Sequence, residues 1–239
     1  TATTGNITQG VALAVTGTST FVTSADDATI TLTETSNAFT GALLITTNDN
    51  TDGADNVYTA DVSIDGGTTG LIIGLSTIDG DLTLLNGAAI TDTGIATVAG
   101  ALSVTTDASN STITLDQLAV DGAFTLAPNG TGAVTIVNDA GLNLAASTMG
   151  GTFSGTATTG DISDSGNLAI TGAATFITTA AGSSIILDQS GSVFTSTVTL
   201  QAGNGSNAAF DNITFVDSAA VRLHSSAESA GDLFIDAST

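Results

Sequence analysis

The sequence predicts an all-β chain wound as a β-solenoid, with repeat units of about 72 to 83 residues. Three observations predict it. Apolar and small polar residues alternate with period two in short runs bounded by turn residues, which marks strands with one buried face. The apolar residues are Ala, Val, Ile and Leu with nine Phe, one Tyr, one Met and no Trp, so the core must be thin and regular. The chain also matches itself at constant offsets, the signature of a stacked repeat.

The strands come in chain order as Leu13-Ala14-Val15, Ile30-Thr31-Leu32, Ile113-Thr114-Leu115, Ile185-Ile186-Leu187 and Val198-Thr199-Leu200. Between them lie clusters such as Asp65-Gly66-Gly67 and Pro128-Asn129-Gly130, suited to positive φ or to side-chain-backbone turns. About one residue in five is Thr, which favours pleated strands, while Lys, Arg, Glu and Gln, the helix formers, are almost absent. No stretch carries a helical period.

The segment from Gly5 realigns without a gap on the segment from Gly160, an offset of 155. Leu13 meets Leu168, Phe21 meets Phe176, Ile30 meets Ile185 and Phe39-Thr40 meets Phe194-Thr195. A copy between them places Ile113 and Leu115 83 positions after Ile30 and Leu32, and Ile113, Leu115 and Asp116 72 positions before Ile185, Leu187 and Asp188. The surplus in the longer spacing is assigned to an inserted polar loop, Thr47 to Tyr58. The units then run approximately 1–74, 75–146 and 147–218, with a further unit starting at 219–239, all in one continuous solenoid. A unit of this length suits three or four coils of roughly 18 to 24 residues.

One Lys or Arg stands against 23 Asp and Glu, a net charge of −22. Such a surface repels phosphate backbones and anionic lipid, which argues against nucleic acid as a partner. No apolar stretch approaches the ~18 residues of a membrane-spanning helix, so no membrane insertion is expected. Zero cysteines exclude a disulfide framework and thiolate metal sites. The near absence of basic residues points to an extracellular or cell-surface setting.

The phrases Ala88-Ala89-Ile90-Thr91-Asp92-Thr93-Gly94, Gly160-Asp161-Ile162-Ser163-Asp164-Ser165-Gly166 and Ile185-Ile186-Leu187-Asp188 carry a resemblance. In them the chain resembles bacterial β-strand-repeat exoproteins and other filamentous-haemagglutinin-like secreted surface proteins. The resemblance covers nearly the whole chain and implies a right-handed parallel β-helix within a giant secreted protein. It is specific for architecture rather than for an activity.

Candidate sites are few. Arg222 and His224 are the only Arg and His, two apart on one strand face, and read as surface residues. Asp26-Asp27 and the pair Asp116 and Asp188 read as repeat positions rather than as converging catalytic carboxylates. Asn48, Asn50, Asp52 and Asp55 place alternate oxygens as in the first half of a calcium loop, although Thr59 stands where the bidentate Glu belongs. Calcium is therefore the one cofactor to test. Thr-x-Thr pairs such as Thr29-Ile30-Thr31 could order water in an ice-binding row, but Thr looks scattered and Ser184-Ile185-Ile186 breaks the pattern.

The expected function is that of a non-enzymatic structural rod segment in an extracellular filament, stalk or surface layer. Its partners would be neighbouring solenoid coils or identical chains stacked head to tail. The alternative is an adhesin module that binds surface glycans or proteins through its loops. An ice-binding or acidic-polysaccharide-active β-helix ranks below both.

Overall fold

A computed structural model describes residues 1–48, 59–203, 211–224 and 231–237. Its described residues hold 28 strands and no helix. Two long sheets, one of 11 and one of 12 strands, face each other, with smaller sheets of three and two strands on a third side. The named strands pair in parallel, with one isolated antiparallel bridge between Ala38 and Gly67. Apart from that bridge, the chain is a parallel β-solenoid.

Coil length is read from the register. Ile7 pairs with Ile30, Val62 with Leu82, Leu82 with Leu102, Leu102 with Phe124, and Leu142 with Ile162, so these coils advance the chain by 20 to 23 positions, whereas the coil from Ile185 to Ile213 takes 28. The step from Ile30 to Val62 is longer because it contains the insert. Thr47, the expected first residue of that loop, instead belongs to the stack. It is buried, its N–H donates to Thr77 O at 3.0 Å, and its Oγ1 accepts from Asp79 N–H at 3.0 Å.

Period two decides the core. Ile30, Val62, Leu82, Leu102 and Phe124 form one inward column, each at most 1% exposed. Each such burial contributes about 1.5–3 kcal/mol, summed along the axis rather than gathered in one centre. The expected equivalence of Phe21 and Phe176 holds. Phe21 meets Phe39 with ring centroids 6.3 Å apart at 85°, and Phe176 meets Phe194 at 6.1 Å and 77°. Phe176 is fully buried, whereas Phe21, in the first described coil, is partly exposed.

The repeat unit is neither three nor four coils. Ile30 lies in the 11-stranded sheet, its counterpart Ile113 in the 12-stranded sheet, and the next counterpart Ile185 back in the first. Seven steps of the first sheet separate the strand Ile30–Leu32 from Ile185–Leu187. Two units therefore span seven coils, and one unit spans three and a half. Equivalent residues of consecutive units face opposite sides.

Candidate functional site

The polar residues singled out in the sequence sit at the corners, where the strand line bends and backbone N–H groups lose their ladder partners. One corner recurs in three copies. Thr23, Thr106 and Thr178 are buried, and their hydroxyls donate to Ala28 O, Ser111 O and Ser183 O at 3.1, 3.5 and 3.1 Å. Inside each turn one residue takes a left-handed backbone: Asp27 (φ 56°), Asn110 (φ 65°) and Gly182 (φ 84°). Asp, Asn and Gly are the residues that enter this region at least cost. Asp27 thus serves a turn, and its Oδ1 also accepts the Thr59 hydroxyl at 2.6 Å.

A second set points inward. Asn37 Oδ1 accepts from Leu13 N–H at 2.8 Å, Ser76 Oγ from Ile45 N–H at 3.1 Å, Asn138 Oδ1 from Val120 N–H at 2.8 Å, and Ser192 Oγ from Leu168 N–H at 3.0 Å. All four side chains are buried. Each occupies the coil after the amide it caps, so the polar core ties coil to coil.

The carboxylates named at the repeat positions are held similarly. Asp92 Oδ1 accepts from Asp116 N–H at 3.2 Å and Oδ2 from Gln117 N–H at 2.9 Å. The counterpart one unit on, Asp164, accepts through Oδ1 from Asp188 N–H at 2.9 Å. Both Asp92 and Asp164 are raised above the ordinary value of 3.8, chiefly because burial penalises the charge. Asp116 and Asp188 are exposed. Sequence reasoning found them but missed Asp92 and Asp164 as their partners, because the contact crosses a coil whose length the sequence did not fix.

The bond pattern breaks at Asp116 and Gln117. Leu115 pairs with Ile136 and Leu118 with Asn138, so two residues oppose Val137 alone in a β-bulge. Beside it opens a groove of about 300 Å³, lined by Ile95, Gln117, Leu118 and Val137 and edged by Asp116 and Asp139. Ile95 is 51% exposed there.

Among the described residues no three His, Cys, Asp or Glu side chains converge to hold a metal. Of the calcium-loop candidates, Asn48 is partly buried next to Thr47, while Asn50, Asp52 and Asp55 lie outside the described residues. Arg222 and His224 are both exposed, on and just after the short strand Arg222–Leu223.

Threonine is more ordered than the sequence suggested. Thr91, Thr114, Thr135, Ser154, Thr175 and Thr199 pair in register on one sheet as an outward hydroxyl column. Thr8, Thr31, Ser63, Thr83, Ser103 and Thr125 do the same on the other. The scatter was an effect of unequal coil lengths. Ile186, paired to Ser163, does interrupt a hydroxyl run as expected.

A family model described as repeats of unknown function (DUF5649) matches residues 1–46, 59–129 and 131–201. The chain belongs to this family. The second and third matches begin at 59 and 131, a spacing of 72 that equals the offset read from the sequence. In this family member one repeat therefore corresponds to three and a half coils. No curated protein and no solved structure matches the chain.

Proposed function

We propose that the chain is a non-catalytic rod segment, a spacer in an extracellular filament, stalk or surface layer of the filamentous-haemagglutinin-like kind. The observation that carries this reading is the use of its polar residues. Asp27, Asn37, Asp92, Asn138, Asp164 and Ser192 are each engaged in holding a turn or joining one coil to the next. Eleven strands stack in one sheet, so ten steps of ~4.8 Å give an axial length of about 48 Å. Partners are further coils that continue the ladder. Leu233 pairs with the core residue Ile213 yet is 53% exposed, and an added coil would cover it.

A tandem fusion of two copies tests the reading by small-angle scattering and electron microscopy. The axial length should roughly double to ~96 Å at constant cross-section; a bend or flexible joint at the junction would count against a rod. A second reading, surface attachment, is supported by the bulge groove and the hydroxyl columns, which offer apolar contact and repeated donors to a neutral glycan. Saturable binding to a panel of neutral polysaccharides, lost on Ile95→Asp, would favour it over the spacer.

A further inference from the structure

We propose that Asp164 with Asp188, and Asp92 with Asp116, are proton-dependent clasps in which one proton held between two carboxyl groups ties a coil to the next. Asp164 ends the strand Ile162–Asp164 and is only 7% exposed. Its Oδ1 accepts the Asp188 amide, but its Oδ2 is shut off from solvent without a hydrogen-bond partner. The Gln189 amide lies close enough to ease the charge, yet Oδ2 itself stays unbonded. An acceptor oxygen left this way is costly, more so when it bears charge. Asp188 follows Ile185–Leu187 in the next coil, and its charge adds to the difficulty of ionising Asp164. The strand on the other side, Leu142–Leu144, brings no titratable group. A proton on Oδ2 resolves both problems, because the new O–H donates toward the Asp188 carboxylate and one of two like charges disappears.

A related arrangement recurs one unit earlier, on the other long sheet, where Asp92 is only partly buried and neither of its oxygens is left without a hydrogen bond. Asp92 holds the amides of Asp116 and Gln117, and the neighbouring Asp116 carboxyl adds to burial in disfavouring its charge. The neighbouring strand Leu71–Ile73 carries no titratable side chain, whereas Asp139 shares the groove with Asp116 and adds negative charge on that side. In the first unit the place that aligns with Asp92 is filled by Gln9. Its Oε1 accepts the Glu34 amide at 3.3 Å and its Nε2 donates to Asn37 Oδ1 at 2.8 Å. There an amide that needs no proton makes the clasp.

The sign follows from burial, the largest cause, which raises both groups above 3.8. Between that value and the folded one, the folded chain holds protons that the unfolded chain has released. Stability falls as pH rises through this window and is greatest below it.

Asp164→Asn supplies a permanent donor in place of the proton. Its melting temperature should exceed that of the unchanged chain by about 2–4 °C at pH 7 and match it within about 1 °C at pH 3. Asp188→Asn should also stabilise at pH 7, by removing the facing charge. Carboxyl-carbon NMR of the unchanged chain should show Asp164 titrating above 3.8, and Asp188→Asn should bring that midpoint down. An Asp164→Asn variant equally destabilised at both pH values, or an Asp164 midpoint at or below 3.8, would overturn the clasp. If that variant fails to fold, the titration of the unchanged chain decides alone.

Discussion

At the scale of single residues, the repeat is a set of backbone requirements met by different side chains. Asp27, Asn110 and Gly182 share one left-handed position, and the residue type changes while the φ stays. The equivalence was legible once the units were aligned, since Asp, Asn and Gly are the types that tolerate it. A β-branched residue there should cost about 1–2 kcal/mol in backbone strain, so Gly182→Val is expected to lower stability by at least that much in chemical denaturation, while Asn110→Gly, which keeps the φ and gives up only the exposed bonds from the Thr131 N–H and hydroxyl, should cost less. Equal losses from both changes would mean that the side chain, not the φ, is what the turn needs. The Phe pairs were readable for the same reason: an offset of two units returns the chain to the same sheet, so Phe21 with Phe39 forecasts Phe176 with Phe194. Asp92 and Asp164 were not readable as partners of Asp116 and Asp188, because the sequence distance within each pair identifies a contact only when the coil length is known.

At the scale of a coil, what holds neighbours together is both the parallel ladder and the line of buried acceptors at the inner corners. Ser192 shows the logic. Its Oγ takes up the Leu168 amide from the preceding coil at a bend in the strand line. Ser192→Ala leaves that amide buried and unsatisfied, at a cost of about 1–3 kcal/mol. Urea melts with an unchanged m-value would report it, and Ser192→Asn, patterned on the native Asn37 at the equivalent place, should lose less. A silent Ser192→Ala would show that water satisfies the amide instead. Coil length itself was hidden from the sequence by these corners. Strands such as Leu102–Thr106 and Ala174–Thr178 run straight through, whereas the shorter strands Ile90–Asp92 and Ala96–Val98 are separated by a bend. The bend changes place between coils, so the count between equivalent inward residues varies and the hydroxyl columns look irregular when read along the chain.

At the scale of the molecule, the half-integer repeat means that equivalent positions of consecutive units lie on different long sheets, about 17 Å apart along the axis, three and a half steps of ~4.8 Å. A long rod built this way presents equivalent faces to neighbours on both sides, which suits lateral as well as axial contact in a layer or filament. Charge opposes that contact. With −22 on a chain of this size, two copies approaching at neutral pH repel over roughly a Debye length, ~30 Å at 0.01 M salt and ~8 Å at 0.15 M. Any attraction between stacked ends would be short-ranged, because a further coil must reach the strand Leu233–Ala237 to cover the inward-facing Leu233, which is 53% exposed. Salt removes the long-range repulsion and leaves the short-range attraction intact, so end-to-end association of the isolated chain should strengthen as salt rises from about 0.01 to about 0.5 M. Light scattering should show the mean particle mass increasing along that series, and Leu233→Asp, which puts a charge on the inward face of the end strand, should abolish the increase. Such growth should be open-ended, because a head-to-tail contact of this kind would not close on itself. Particle mass that falls with added salt, or that stops at a dimer, would contradict axial stacking as the mode of assembly.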